Sequence, residues 1–354
     1  HAGLVWLLNQ QKYVKQDGTR YELSKDYVGF MPNGKKERPW PTSLQPYDVI
    51  YVADTYGVYE NDFTAEKKKG KRSKKVYGGL TEQEVNRLHD AMFAGNKTLI
   101  AEFNSFASPT DRAVREKFYA LLNVEWTGWI GRYFPKLEDD EVPVWVKENY
   151  EKQYNKRYTF TGPGYVLVDE YDRLIILHKK EIGKQGVLFT PTKKGEKELG
   201  VSGSIPYSYW FDIVKPLYDD EVLATYTLSL SKSGKEKLRA IGLPTTFPAI
   251  VHHRNNRYDA YYFSGDYADY GDVPSIYRTA GIDIWRKWTT RHDPNSTVSF
   301  YWKAYVPMMK TILKHIYDKE KRTIERTVAK TDDGIQLAGR VGELSGLQPT
   351  VRRP

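Results

Sequence analysis

The chain has 354 residues, 40% hydrophobic and 28% charged, a balance that excludes a disordered or fibrous protein and fits one large or two modest domains. It holds no cysteine, which rules out disulfides, thiolate metal sites, iron–sulfur clusters and every cysteine nucleophile. The formal net charge is +9, and the seven basic residues in KKKGKRSKK (67–75) account for most of it.

No stretch of about 18 apolar residues occurs, so no segment reads as a membrane-spanning helix. The absence of cysteine in so long a chain points to an exported or surface-associated bacterial protein, extracellular or on the cell surface. The chain opens at His1 with no initiator Met and no leader-like segment, which fits a signal or anchor removed beforehand.

Taken in chain order, Leu4–Leu8 (LVWLL) is a continuous apolar run and predicts a strand buried on both faces. Turn signals follow at Asp17-Gly18 and Asn33-Gly34. Asp48–Ala53 (DVIYVA) predicts a second strand, ended by Asp54. The basic run comes next and reads as a solvated loop or as an anion contact through Lys67, Lys68, Lys69, Lys71, Arg72, Lys74 and Lys75. Its partners would be an anionic polymer or phospholipid headgroups at a membrane surface; nucleic acid fits least, since no helix-turn-helix, RNP or zinc-finger pattern accompanies it.

Thr81-Glu82-Gln83-Glu84 is a capping box, and Val85, Leu88 and Met92 then share one helical face until Gly95-Asn96. Thr98–Phe103 predicts a third strand. Ser108-Pro109-Thr110-Asp111 opens another helix with Val114, Phe118, Leu121 and Leu122 as its buried stripe. Strand and helix alternating at this spacing imply right-handed crossovers and a parallel sheet.

Residues 126–218 are rich in Trp, Tyr, Gly and Pro and predict an antiparallel insertion, with a hairpin over Tyr165–His178 turning at Glu170-Tyr171-Asp172 and a strand at Gly186–Thr190. Glu221–Leu228 predicts a strand and Lys232–Ile241 a helix. Pro248–His252 and Asp259–Ser264 predict a hairpin about Asn255-Asn256, and Phe300–Tyr317 a closing helix. The expected division is 1–125 and 219–326 as two parts of one α/β domain, 126–218 as the insertion and 327–354 as a tail. No internal repeat is apparent.

Three stretches carry a family resemblance: YDVIYVADTYGVY (47–59), GGLTEQEVNRLHDAMFAGNKTLIAEFNSFASP (78–109) and FPAIVHHRNNRYDAYYFSGDYAD (247–269). Their order of strand, capped helix, strand and late hairpin resembles the class I glutamine amidotransferase-like superfamily. The resemblance implies an α/β fold, a flavodoxin-like open and mostly parallel sheet with helices on both faces, carrying the antiparallel aromatic-rich insertion. It does not extend to the chemistry. The family's glutaminase needs a Gly-x-Cys-x-Gly elbow, and Ala101–Phe106 (AEFNSF) has neither the glycines nor the thiol.

In such a sheet ligands bind beyond the carboxyl ends of the strands. Asp54, Glu102 and Asp266 would gather there, either as acid, base or nucleophile for glycan cleavage or as oxygen ligands for Ca²⁺ or Mg²⁺. Asn9, Gln10, Tyr56, Tyr59, Asn104, Tyr267 and Asp269 flank them as ligand-binding candidates; helix caps and turns are the structural alternative. Ser105 lacks a small-residue elbow and an evident His base, so Ser105 or Ser108 reads as a helix cap. His252-His253 would point to opposite strand faces and cannot readily chelate one ion. With 28 Tyr, 13 Phe and 9 Trp, the chain offers rings suited to sugar faces as well as to a core. The functional expectation is a protein that binds carbohydrate or anionic polymer, accessory to polysaccharide metabolism. A glycan hydrolase and a protein-interaction scaffold are the alternatives.

Overall fold

The computed structural model describes residues 2–31, 36–53, 55–63, 73–271, 279–291 and 296–338. Its first element corrects the first expected strand: the apolar run lies in a helix, α1 (Ala2–Gln10), with Trp6 and Leu7 buried. A short apolar run has no period of its own, and here the helix buries it against the C-terminal part of the chain. Two small antiparallel ribbons follow, β1 (Gly29–Met31) with β2 (Lys36–Arg38), and β4 (Val58–Tyr59) with β5 (Lys75–Tyr77), on either side of β3 (Val49–Val52).

α2 (Glu82–Ala94) begins as the capping box dictates: the Thr81 hydroxyl accepts from the Glu84 N–H, and the Glu84 carboxylate accepts from the Thr81 N–H. Thr81→Ala is expected to cost about 1 kcal/mol in urea denaturation. β6 (Lys97–Glu102), wholly buried, leads to α3 (Arg112–Leu122). β7 (Val124–Phe134), α4 (Val144–Tyr154), β8 (Gly164–Asp169) and β9 (Leu174–His178) come next, the last two forming the expected hairpin. The chain continues through β10 (Ile182–Pro191), α5 (Lys193–Leu199), β11 (Ile205–Tyr207), β12 (Phe211–Pro216), β13 (Val222–Leu230) and α6 (Lys232–Ala240). β14 (Thr246–Arg254) and β15 (Tyr258–Phe263) form the second expected hairpin.

After α7 (Ile282–Thr289), a short helix α8 (Thr297–Phe300) runs through a π-helical turn at Tyr301–Tyr305 into α9 (Val306–Ala338). The final helix therefore extends well past the expected Tyr317, and residues 339–354 lie outside the described residues. Among the described residues, no helix is long and apolar enough to cross a membrane.

The sheet topology overturns the flavodoxin-like expectation. A seven-stranded sheet has the order β11-β10-β13-β14-β15-β6-β3, and only the β15–β6 and β6–β3 pairs are parallel. A separate four-stranded sheet, β12-β7-β8-β9, is antiparallel throughout. The strand–helix alternation at 49–122 does build parallel neighbours, yet the second parallel partner of β6 is β15, far along the chain. The strands between them return by hairpins, and hairpins make antiparallel pairs.

The structure also contains a repeat that sequence inspection passes over. A 3₁₀ turn (Lys179–Glu181) precedes β10 and another (Asp219–Glu221) precedes β13; each strand then ends at a hydroxyl-capped helix. The matching cap sequences are Thr192–Leu199 (TKKGEKEL) and Ser231–Leu238 (SKSGKEKL). The N–H of Thr192 donates to the Leu223 carbonyl, at the start of the partner strand, and the N–H of Ser231 donates to the Glu181 carbonyl. β10 and β13 pair antiparallel at the centre of this local symmetry, and β11 and β14, each following its helix, flank them. The two halves thus exchange equivalent contacts about a pseudo-two-fold.

The seven-stranded sheet separates two cores. Ile100, Tyr261 and Phe263 face a cluster that includes Trp6, Phe189, Trp302 and Met309. Leu99, Ala101 and Tyr262 face the other way, onto Val85, Leu88 and Met92 of α2 and Phe118 of α3. Alternating side chains on β6 therefore enter different cores, so both faces of this strand are closed to water.

Candidate functional site

Of the polar residues expected at the carboxyl ends of the parallel strands, Glu102 and Asn104 do lie together there, but in the interior. Glu102, the last residue of β6, is 1% exposed. One carboxyl oxygen accepts from the Tyr51 hydroxyl of β3, which in turn lies 3.2 Å from the Tyr305 hydroxyl on the π turn. The other oxygen accepts from the Ala268 N–H at 3.4 Å, so the 264–269 loop closes over it. Burial drives the Glu102 carboxyl up to about 8, against which the Tyr51 and backbone donors pull downward.

A second buried carboxylate stands beside this loop. Asp212, in β12, accepts from the Tyr262 hydroxyl and from the Asn104 N–H at 3.2 Å, and its own N–H donates to the Ser264 carbonyl at 2.7 Å. It is fully buried, and desolvation raises it to about 7. Asn104 adopts a left-handed φ of 69°, which aims its N–H at Asp212. Ser105 does not cap a helix; its hydroxyl donates to the Glu102 carbonyl at 2.6 Å inside the turn. Asp212, Tyr51 and Tyr262 escaped sequence reasoning, since each sits within an apolar strand pattern and acquires its role from distant contacts.

Other expected site residues disperse. Asp54, Lys67, Lys68, Lys69, Lys71 and Arg72 lie outside the described residues; Lys74 and Lys75 are exposed beside the short ribbon. The Asn9 side chain braces the Tyr21 backbone through both its amide atoms, and Gln10 donates to Asp283 at 3.3 Å. Tyr56 and Tyr59 pack together with ring centroids 5.0 Å apart. Asp266, Tyr267 and Asp269 line a narrow cleft with Tyr207, Tyr270 and Tyr301, and the Tyr207 hydroxyl accepts from the Asp266 N–H at 2.9 Å. Among the described residues no group of three or more His, Asp or Glu is placed to hold a metal ion. His252 and His253 diverge: His252 bridges Glu198 and Asp259, whereas His253 meets Glu221 and Asn123.

An open concavity lies elsewhere, a groove of about 590 Å³ between α3, β7, the β8–β9 turn, β12 and the α6–β14 loop. Its floor is a bulge. Ile213 pairs with Trp129 and the next residue, Val214, with Trp126, which leaves Thr127 and Gly128 unmatched in β7. Gly128 takes a φ of 84° that glycine adopts without strain. Three hydrogen bonds fix the bulge: the Trp126 indole N–H donates to the Trp129 carbonyl at 2.8 Å, the Thr127 hydroxyl to the Ile213 carbonyl at 2.7 Å, and the Glu170 N–H to the Gly128 carbonyl at 2.8 Å.

The groove walls carry equal numbers of opposite charges, and these are arranged in pairs. Arg115 meets Glu170 at 2.5 Å and spreads its guanidinium over the Trp126 ring, 5.2 Å from the centroid. Arg112 meets Glu116 at 3.0 Å, and Lys215 is the cross-strand partner of Glu125. Trp129 and Tyr119, both half-buried, add aromatic surface, and Tyr171, next to Glu170, is 70% exposed. The sequence signal for this site is W-T-G-W at 126–129, where a glycine between two strand aromatics marks a bulge. Compared with family models, curated proteins and solved structures, the chain matches none.

Proposed function

We propose that the protein binds a carbohydrate chain in the groove floored by the Trp126–Trp129 bulge, and that it acts as a binding rather than a glutamine-hydrolysing protein. The observation that carries this reading is the combination of indole and phenol surface with charges that cancel in pairs. Sugar rings stack their C–H faces on aromatic rings, while their hydroxyls seek both donors and acceptors at the edge. Paired guanidinium and carboxylate groups offer both without a net field. An anionic polymer would instead select an excess of cations, which this groove lacks, so the neutral, polyhydroxylated ligand is the better fit.

The reading is tested by titrating neutral oligosaccharides in a calorimeter or on a glycan array. Trp129→Ala is expected to weaken binding by about tenfold or more, the loss of one aromatic platform. Binding should change little between low and high salt, because no net charge is neutralised. Affinity confined to anionic glycans and falling steeply with salt would overturn the neutral-ligand reading; no binding to any glycan would remove the proposal altogether. Release of reducing ends during these titrations would replace binding by hydrolysis.

A further inference from the structure

On a separate face, α7 presents an unusual surface. Ile284, Trp285 and Trp288 are 59%, 55% and 82% exposed, so two indoles and an isoleucine stand in water on successive turns of one short helix. Lys287 of the same helix and Arg291, two residues past its end, are exposed as well. The only acidic residue of this helix, Asp283, is turned inward and buried, where it pairs with Lys310 of α9 and accepts from Gln10 of α1. Arg286 also points inward, its guanidinium 5.5 Å from the Trp302 ring centroid. The helix is therefore held to the body by Asp283, Arg286 and the partly buried Ile282, and its exposed residues are Ile284, Trp285, Lys287, Trp288 and Thr289, with no acid among them.

An ordinary surface helix turns its apolar groups inward; here only Ile282 does so, while Ile284, Trp285 and Trp288 face water. We propose that α7 docks the protein onto an anionic lipid bilayer, with Trp285, Trp288 and Ile284 entering the headgroup boundary and Lys287 and Arg291 meeting lipid phosphates. Indoles pair an apolar body with a single N–H donor and settle at the level of the headgroups rather than in the hydrocarbon. Cations at the same level gain from the negative surface potential, and the +9 charge of the whole chain adds attraction over longer range. The anchoring of Asp283 to two other helices fixes the angle at which the indoles meet the surface. A protein partner or a second copy of the chain would bury the same rings, but neither requires an outward face that, among the described residues, is cationic and without acids.

The test is flotation of the full chain with vesicles of phosphatidylcholine alone and of phosphatidylcholine mixed with phosphatidylglycerol. The wild-type protein is expected to float with the mixed vesicles only, and Trp285→Ala with Trp288→Ala to lower the bound fraction about tenfold. Lys287→Glu with Arg291→Glu should reduce it as well. Acyl chains brominated near the headgroup should quench tryptophan fluorescence of the wild type and not of the double tryptophan variant. Because the substituted side chains are exposed, circular dichroism melts should match the wild type, and oligosaccharide titration of the groove should be unaltered. Failure of the wild type to float, or equal flotation of the tryptophan variant, would overturn the proposal. A concentration-dependent dimer that the tryptophan substitutions abolish would overturn it too, by giving the face to a second copy of the chain.

Discussion

Alanine at Gly195 is expected to destabilise the protein by about 3 kcal/mol or more, although alanine is intrinsically the better helix former by about 1 kcal/mol. The reason is the close approach of α5 to the start of β13. A methyl group built on Gly195 would stand 1.7 Å from the Leu223 carbonyl oxygen, and one on Gly234 would stand 2.0 Å from the Glu181 carbonyl oxygen. Both obstacles are backbone atoms, which cannot swing aside as a side chain can. Each carbonyl is also engaged, since it accepts from the N–H of the helix cap, Thr192 or Ser231. Moving it away to admit a methyl group would break that hydrogen bond. The Gly195 N–H in turn donates to the Thr192 hydroxyl at 3.0 Å, and the Gly234 N–H to the Ser231 hydroxyl at 3.3 Å. Urea denaturation of Gly195→Ala and Gly234→Ala checks this: both midpoints should fall by similar amounts, as the pseudo-symmetry demands. A variant as stable as the wild type would show that helix and strand are not in contact there.

The same two segments show what the sequence carried and what it hid. Thr192 and Ser231, Gly195 and Gly234, and Leu199 and Leu238 stand at identical intervals, so the repeat is written in the chain. It is easily passed over because the intervening charges are exchanged, Glu196-Lys197-Glu198 against Lys235-Glu236-Lys237, and because exposed helix positions constrain charge only weakly. Elements with strong local signals were legible, among them the Thr81–Glu84 capping box, the buried stripe Val85, Leu88 and Met92, and both hairpins. Signals without period were not. LVWLL satisfies a buried strand and a buried helix equally, and only its packing as a helix decides between them. The sheet type was illegible for a different reason: β6 finds its partner β15 about 160 residues further along the chain, and no local spacing encodes that choice. The groove was half visible, since Trp126 and Trp129 stand out as aromatics, whereas the Arg115–Glu170 ion pair in its wall joins α3 to a turn 55 residues on.

Glu102 shows most sharply how burial redirects a residue that reads as chemistry, and it carries a pH dependence of definite sign. In the unfolded chain its carboxyl ionises near 4.5, whereas in the folded protein it keeps its proton to about 8. Between these values unfolding releases a proton, so raising the pH favours the unfolded state by up to about 1.4 kcal/mol per pH unit for one such group. Asp212 acts in the same direction between its ordinary 3.8 and about 7. Stability is therefore expected to be fully present near pH 4 and to decline toward pH 8, the opposite of a carboxylate held by cations. Asp259 is of that other kind: hydrogen bonds from His252, Arg254 and Lys319 hold it well below its usual range against the cost of burial, and its contribution is lost only in strong acid. Glu102→Gln should flatten the decline and leave the variant more stable than the wild type above pH 8. The amide oxygen can accept from the Ala268 N–H while the amide N–H donates to Tyr51, whose hydroxyl then donates to Tyr305. Glu102→Ala lacks that compensation; it empties a buried site, takes the acceptor from the Ala268 N–H, leaves the Tyr51 hydroxyl with Tyr305 alone, and should cost about 3 kcal/mol in mild acid, where wild-type Glu102 keeps its proton. Thermal melts of the three proteins from pH 4 to pH 9 separate the cases. A wild-type curve flat across that range, or a Gln variant with an undiminished slope, would mean that Glu102 is ionised in the fold and that water reaches it after all.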